Sequence, residues 1–211
     1  MNACSLSKTL ILLGFALGAY GCTTGERSAK ADSSPKEHTG LEPATREQDA
    51  KPFYRPKGTG PAYWGPGDLY TFLATGAETN DAYFQFEALV PKGGGPPPHI
   101  HRGEDESFYL VRGTLEMHLG DKTVKASAGD FVNIPRGTVH YFKNVGDEAA
   151  LMLATFVPAG MEKFFEEVFP VAVDRTATPP PLTDELVKKM TEAAPKHRLE
   201  ILPPGKADNG R

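Results

Sequence analysis

Cysteine is close to absent from this chain: there are two, Cys4 and Cys22, both within the first 22 residues. No disulfide framework can hold the remainder, so a folded domain must rest on its own apolar core. Long apolar runs are lacking too. The stretch from 9 to 17 is the most apolar, and it falls short of the roughly 20 residues a membrane-crossing helix needs. Excess positive charge is also missing. The 23 Lys and Arg stand against 27 Asp and Glu, a net charge of −4 with no basic cluster, which removes the electrostatic footing of a nucleic-acid binder. What the chain does hold in quantity is glycine and proline, 22 and 19 copies in 211 residues. Turn-forming residues at that frequency suit short strands, and the length suits one domain with tails.

Residues 1–22 read as an export signal. Lys8 supplies a weak positive start, the apolar run 9–17 follows, and the small residues Gly18, Ala19 and Gly21 precede Cys22. The sequence Ala19-Tyr20-Gly21-Cys22 resembles a bacterial lipoprotein cleavage box, with Ala and Tyr where leucine and a small residue are usual. Two routes stay open: lipid attachment at Cys22, which gives a periplasmic or membrane-anchored lipoprotein, and ordinary secretion. Contact with a membrane is expected through that lipid alone. Residues 23–52 hold almost no large apolar side chain and read as a disordered tether.

After Pro52 the pattern changes to short apolar or alternating runs. Strands are expected over 69–75, 83–90, 106–112, 114–119, 123–126, 131–134, 139–143 and 149–156. Phe84, Phe86, Ala88 and Val90 share one face at period two, as a half-buried strand requires. Gly120-Asp121 and Gly146-Asp147 supply tight turns. Two helices follow. Met161, Phe164, Phe165 and Val168 form an amphipathic stripe. Thr183 caps a second helix whose Leu186, Val187, Met190 and Ala194 are expected to face inward, with Leu182 stapled to Val187 and Pro195 ending it.

The chemistry lies in two spaced patterns. From Gly93 the chain reads glycine, five residues, His99-Ile100-His101, four residues, Glu106, six residues, Gly113. From Gly129 it reads glycine, five residues, Pro135, one residue, Gly137, two residues, His140, three residues, Asn144. His99 and His101, two apart on a strand, project from one face. Glu106 follows a turn at the start of the next strand, and His140 comes from a third. Three imidazoles and a carboxylate suit one divalent transition metal, Fe, Mn, Co, Ni or Cu, and leave two positions of a six-coordinate ion free. A closed structural zinc site would more often use cysteine.

Other polar residues earn less. His38 lies in the tether, His118 on an outward strand face, and His197 after a helix. Glu104 and Asp105 read as solvated loop charges, with Asp105 a candidate support for the neighbouring ligand. Gly93–Gly95 is no phosphate loop, since Pro96–Pro98 remove the amides it would need. Of the aromatics Phe84, Phe86, Phe108, Phe131, Phe142 and Phe156, most are expected in the core. Phe108 and Phe142, which share strand parity with Glu106 and His140, are expected as walls of a substrate pocket.

The two patterns match the cupin signature, and the chain resembles the cupin superfamily. The runs 95–101, 104–113 and 155–165 are similar to those of bacterial single-domain cupins of the quercetin 2,3-dioxygenase type. The resemblance implies an all-β, double-stranded β-helix barrel of the jelly-roll kind over residues 53–160, with short helices in 161–211. It implies a small-molecule substrate of aromatic or flavonol type, O2 as co-substrate, and cleavage of the heterocycle with loss of carbon monoxide. Glu106 would serve both as metal ligand and as general base. Pairing of two copies through the outer sheet would cover 69–75, expected at an edge. Fold and metal do not choose the reaction, so a small-acid oxidase or decarboxylase and a metal-containing binding lipoprotein without turnover stay open beside the dioxygenase.

Overall fold

The computed structural model describes residues 50–203. The expected signal at 1–22, with Cys22, and nearly all of the expected tether at 23–52 lie outside them. No described helix is long and apolar enough to cross a membrane.

Among the described residues, eleven strands make two antiparallel sheets. The first runs β1(Ala62–Trp64), β2(Leu69–Ala74), β3(Phe84–Val90), β10(Ala150–Val157), β5(Asp105–Arg112), β8(Phe131–Ile134); the second runs β11(Leu199–Ile201), β4(His99–His101), β9(His140–Asn144), β6(Thr114–Leu119), β7(Lys122–Ser127). Beside the sequential pairs, each sheet joins strands distant in sequence, β3 beside β10 and β4 beside β9. This interleaving is the double-stranded β-helix. Strand parity sets what lies between the sheets. Phe84, Phe86, Ala88 and Val90 of β3 are at most 3% exposed, and Ala150, Met152, Ala154 and Phe156 of β10 at most 1%.

The expected edge at 69–75 is not one. The strand β2 pairs with β1 on one side and β3 on the other. Its outer face is sealed by a second small cluster of Ala62, Trp64, Leu69 and Ala172, which is why it reads as apolar on both faces. The short β1, three residues without visible alternation, was not expected. The true edges of the first sheet are β1 and β8. At the latter, Phe131 is 64% exposed rather than in the core, because it sits at odd parity beside Tyr109 on the outside of the barrel.

After the short α1(Gly76–Thr79) between β2 and β3, the helix α2(Met161–Val168) buries Met161, Phe164, Phe165 and Val168, as the spacing predicts. In α3(Asp184–Ala193) the Thr183 hydroxyl accepts from the Leu186 amide at 3.2 Å. Met190 and Ala194 are buried, but Val187 and Leu182 are exposed, so no staple forms. The stripe follows Leu186, Met190 and Ala194 at i, i+4 and i+8, and Val187 lies one residue, about 100°, away from it. Pro195 opens a 3₁₀ turn, Ala194–His197, that leads into β11.

Candidate metal centre

Local structure aims four side chains at one point. On β4, Ile100 faces away while His99 and His101 share a side. His140 opens β9 directly across from His99, and Glu106 is the second residue of β5. The turn 135–137 is pinned at both ends. Gly137, at φ 87, takes a conformation that suits glycine, and its amide donates to the His101 carbonyl at 2.7 Å. Arg136 donates to both carboxylate oxygens of Asp105 at 3.0 Å and its amide donates at 2.9 Å. These bonds hold the Asp105 carboxyl at about 2, below the usual range. Asp105 therefore supports the site by fastening the turn before His140, on the exposed side of the strand.

One donor atom from each of His99, His101, Glu106 and His140 lies within 4.8 Å of all the others. Backbone carbonyls set the orientation of two rings: His99 Nδ1 is 2.9 Å from Pro97 O, and His140 Nδ1 is 3.0 Å from Thr138 O. With Nδ1 carrying the proton to a carbonyl, each Nε2 presents its lone pair inward. His140 Nε2 lies 2.8 Å and His101 Nε2 3.5 Å from Glu106 Oε2. Both ring nitrogens of His101 are buried without a hydrogen-bond partner among the described residues. An orphaned imidazole is costly unless something else binds it, and a metal ion is the partner that also satisfies the other three groups.

Electrostatics agree with lone pairs held ready. Burial, then the neighbouring His140, pushes His99 down to about 3. Burial, then His99 and His140, push His101 well down. Burial raises the Glu106 carboxyl against the pull of His140. Burial opposes charge on His140, but its contact with Glu106 wins and raises it. A cation would compete for that proton.

Beside the four residues lies a cavity of about 60 Å³, touched by His99, His101 and Glu106. Phe108 and Phe142 are among its lining residues. So are Phe86 and Phe156, and Tyr70, Met152 and Met161. All are at inward parity, but parity does not tell a cavity wall from a packed interior. The helical segment closes the remaining side with Phe164, Phe165, Met190 and Leu199. Glu104 is buried rather than solvated, with Oε2 unpartnered among the described residues. It lies under Gly160, where a Cβ would stand 3.3 Å from Glu104 Oε1. His118 stacks on Tyr141 at 4.0 Å on the outer face, and His197 pairs with Glu167 at 2.9 Å. Neither approaches the four.

A family model for the cupin domain matches residues 86–156, a span that contains all four residues. The chain carries a cupin domain. This cupin is 26% identical over 116 residues to quercetin 2,3-dioxygenase of Bacillus subtilis (strain 168), covering 55% of this chain and 34% of that protein. It is 34% identical over 92 residues to the polyketide synthase CurC of Streptomyces cyaneus, covering 44% and 60%, and 38% identical over 71 residues to germin-like protein 5-1 of Oryza sativa subsp. japonica, covering 30% and 31%. The matched region thus spans between about a third and three fifths of these relatives. The solved structure of KdgF from Halomonas sp. aligns with 54% of this chain and 99% of its own, at TM-score 0.48 and 20% identity.

Proposed function

We propose that this cupin is a metal-dependent dioxygenase that opens an aromatic, flavonol-type substrate with O2, with His99, His101, Glu106 and His140 as the ligands of one divalent transition metal. The observation that carries the proposal is the cavity lining: the residues around His99, His101 and Glu106 are aromatic, methionine, proline or aliphatic, with no Lys or Arg among them. A small dicarboxylate would find no cationic side chain there to add to the metal, whereas an aromatic ring buries its faces. The similarity to a quercetin 2,3-dioxygenase points the same way.

The metal, when bound, would supply a meeting point for O2 and an enolate oxygen. The chain's own residues do the rest. Glu106 lines the cavity with its charge disfavoured by burial, so its carboxylate can accept the proton of the substrate hydroxyl. Phe108 and Phe142, with ring centres 5.7 Å apart, wall the ring plane. Met152, Met161 and Met190 give the cavity adaptable sides. Its narrowness, about 60 Å³, favours one competing reading, a binding protein without turnover, if those methionines do not yield.

Elemental analysis followed by O2-uptake measurements decides between them. Flavonols should stimulate metal-dependent O2 consumption with release of carbon monoxide, while oxalate should not. Metal-loaded protein that binds a flavonol and consumes no O2 would establish the binding reading instead.

We further propose that the protein is exported, with Cys22 the point of lipid attachment, and that it forms a homodimer through the outer face of the first sheet. Tyr109, Val111 and Phe131 are 45–64% exposed on that face, which supports its being covered. Light scattering of the domain should give twice the chain mass, and Phe131→Lys should return it to a monomer.

A further inference from the structure

The cavity has a polar end that the metal site does not use. Tyr70 lies on β2 and lines the same cavity as Glu106. In the first sheet β2, β3, β10 and β5 are consecutive, and the register Tyr70–Ala88–Met152–Leu110 sets Tyr70 level with Leu110, four residues along β5 from Glu106, so roughly 14 Å across the strands and roughly 13 Å along them separate the two backbones. Among the described lining residues, Tyr70 is the one side chain outside the His and Glu group that can donate a hydrogen bond. Its ring is fixed by Phe86, Phe165 and Phe169 at centroid distances of 4.9, 5.2 and 6.0 Å.

Its hydroxyl is under-used. The nearest acceptor, Asp68 Oδ2, is 3.5 Å away, at the outer limit of a hydrogen bond. Asp68 is 0% exposed and its Oδ1 has no partner among the described residues. The chain makes room for this pair at two glycines. A Cβ at Gly65 would fall 2.4 Å from Tyr70 Cε2, and one at Gly94 would fall 2.6 Å from Asp68 Oδ1. Nearby Pro66, Pro96 and Pro97 in the lining offer no amide to compete. A buried pair with spare hydrogen-bonding capacity, Tyr70 in an apolar wall and Asp68 beside it, is poorly explained by packing, because an apolar pair of the same shape would cost less.

We propose that Tyr70, oriented by Asp68, is a second recognition point of the cavity, one that hydrogen-bonds a hydroxyl on the end of an aromatic ligand remote from the four metal-holding residues. This rests on the reading of the cavity as an aromatic-ligand site, and narrows it to phenols hydroxylated at two separated positions. Tyr70 is the contacting residue and Asp68 a positioning residue. Burial pushes the Tyr70 hydroxyl well up, so it stays neutral, its proton directed at Asp68 and its lone pairs left to accept from the hydroxyl of the ligand.

The test uses metal-loaded full chain without O2, titrated with three flavonols: one bearing the 3-hydroxyl alone, and two that add a single hydroxyl, on the fused ring or on the pendant ring. Wild type should bind one of the two dihydroxylated compounds about tenfold more tightly than the parent, the worth of one hydrogen bond. Tyr70→Phe should abolish that preference. Asp68→Ala should reduce it, and Asp68→Asn, which can still accept from the Tyr70 hydroxyl, should restore it. Equal affinity for all three compounds in wild type, or a preference that survives Tyr70→Phe, overturns the subsite while leaving the aromatic reading standing. Failure of all three to bind removes the aromatic reading and the subsite with it.

Discussion

His101 is the residue whose environment is hardest to account for by protein contacts alone, since both ring nitrogens are buried and unpartnered among the described residues. Its neighbours differ in what they lose on substitution. His140→Ala removes the sole candidate ligand on β9 and should abolish metal binding, measured as metal per chain after dialysis. Glu106→Gln keeps a weak oxygen ligand, so metal content should fall only in part, while turnover should fall by about 100- to 10,000-fold, as on losing a general base. A Gln variant with full metal and full activity would confine Glu106 to ligation. The pH dependence follows from His140, whose pKa lies above the ordinary imidazole value in the metal-free protein because of Glu106. A metal must displace that proton, so affinity should rise with pH through the neutral range and level off once His140 is neutral. Competition titrations that give one affinity throughout this range would sink the assignment of His140 as a ligand.

Elements of three residues carry as much of the site as long ones, and this is where sequence and structure part. The four candidate ligands are legible because two-residue strand parity and turn spacing are local properties: His99 and His101 need only a strand, and Pro135 to Gly137 only a turn. The strands β3, β6, β8 and β10 showed themselves by alternation within one or two residues of their bounds. In contrast, β11 consists of Leu199-Glu200-Ile201 and is a strand because the free side of β4 offers hydrogen bonds, pairing Leu199 with His101 and Ile201 with His99. No local pattern announces that, nor could parity show that Phe86 and Tyr70 border a void. Buried Glu104 escaped notice for the same reason, since its cover comes from Gly160 more than fifty residues away. Close approach between elements gives a prediction at this scale. A Cβ at Gly95 would stand 2.0 Å from the Phe142 carbonyl oxygen of β9, at φ 140. Gly95→Ala should therefore displace β9, destabilise the domain by at least about 2 kcal/mol, and lower metal content with no ligand altered. Denaturant midpoints together with metal analysis would check both; a variant of unchanged stability would show that β9 can yield there.

At the scale of the whole molecule, a barrel of two sheets is closed on its cavity side by a segment from the end of the chain. Met190, 4% exposed, spans the gap between α3 and the cavity. Met190→Ala should cost about 2–5 kcal/mol and enlarge the cavity. Bulkier flavonols should then bind relatively better, a shift in selectivity measurable by the same anaerobic titrations. The pairing of β11 with β4 also sets an order in time. His99, His101 and Glu106 are synthesised long before residues 199–201, yet the strand that carries the two histidines gains its second hydrogen-bonded neighbour only when those last residues are present. A nascent chain halted anywhere before Leu199 would display a strand of candidate ligands without that neighbour, so completion of the candidate site waits on residues 199–201.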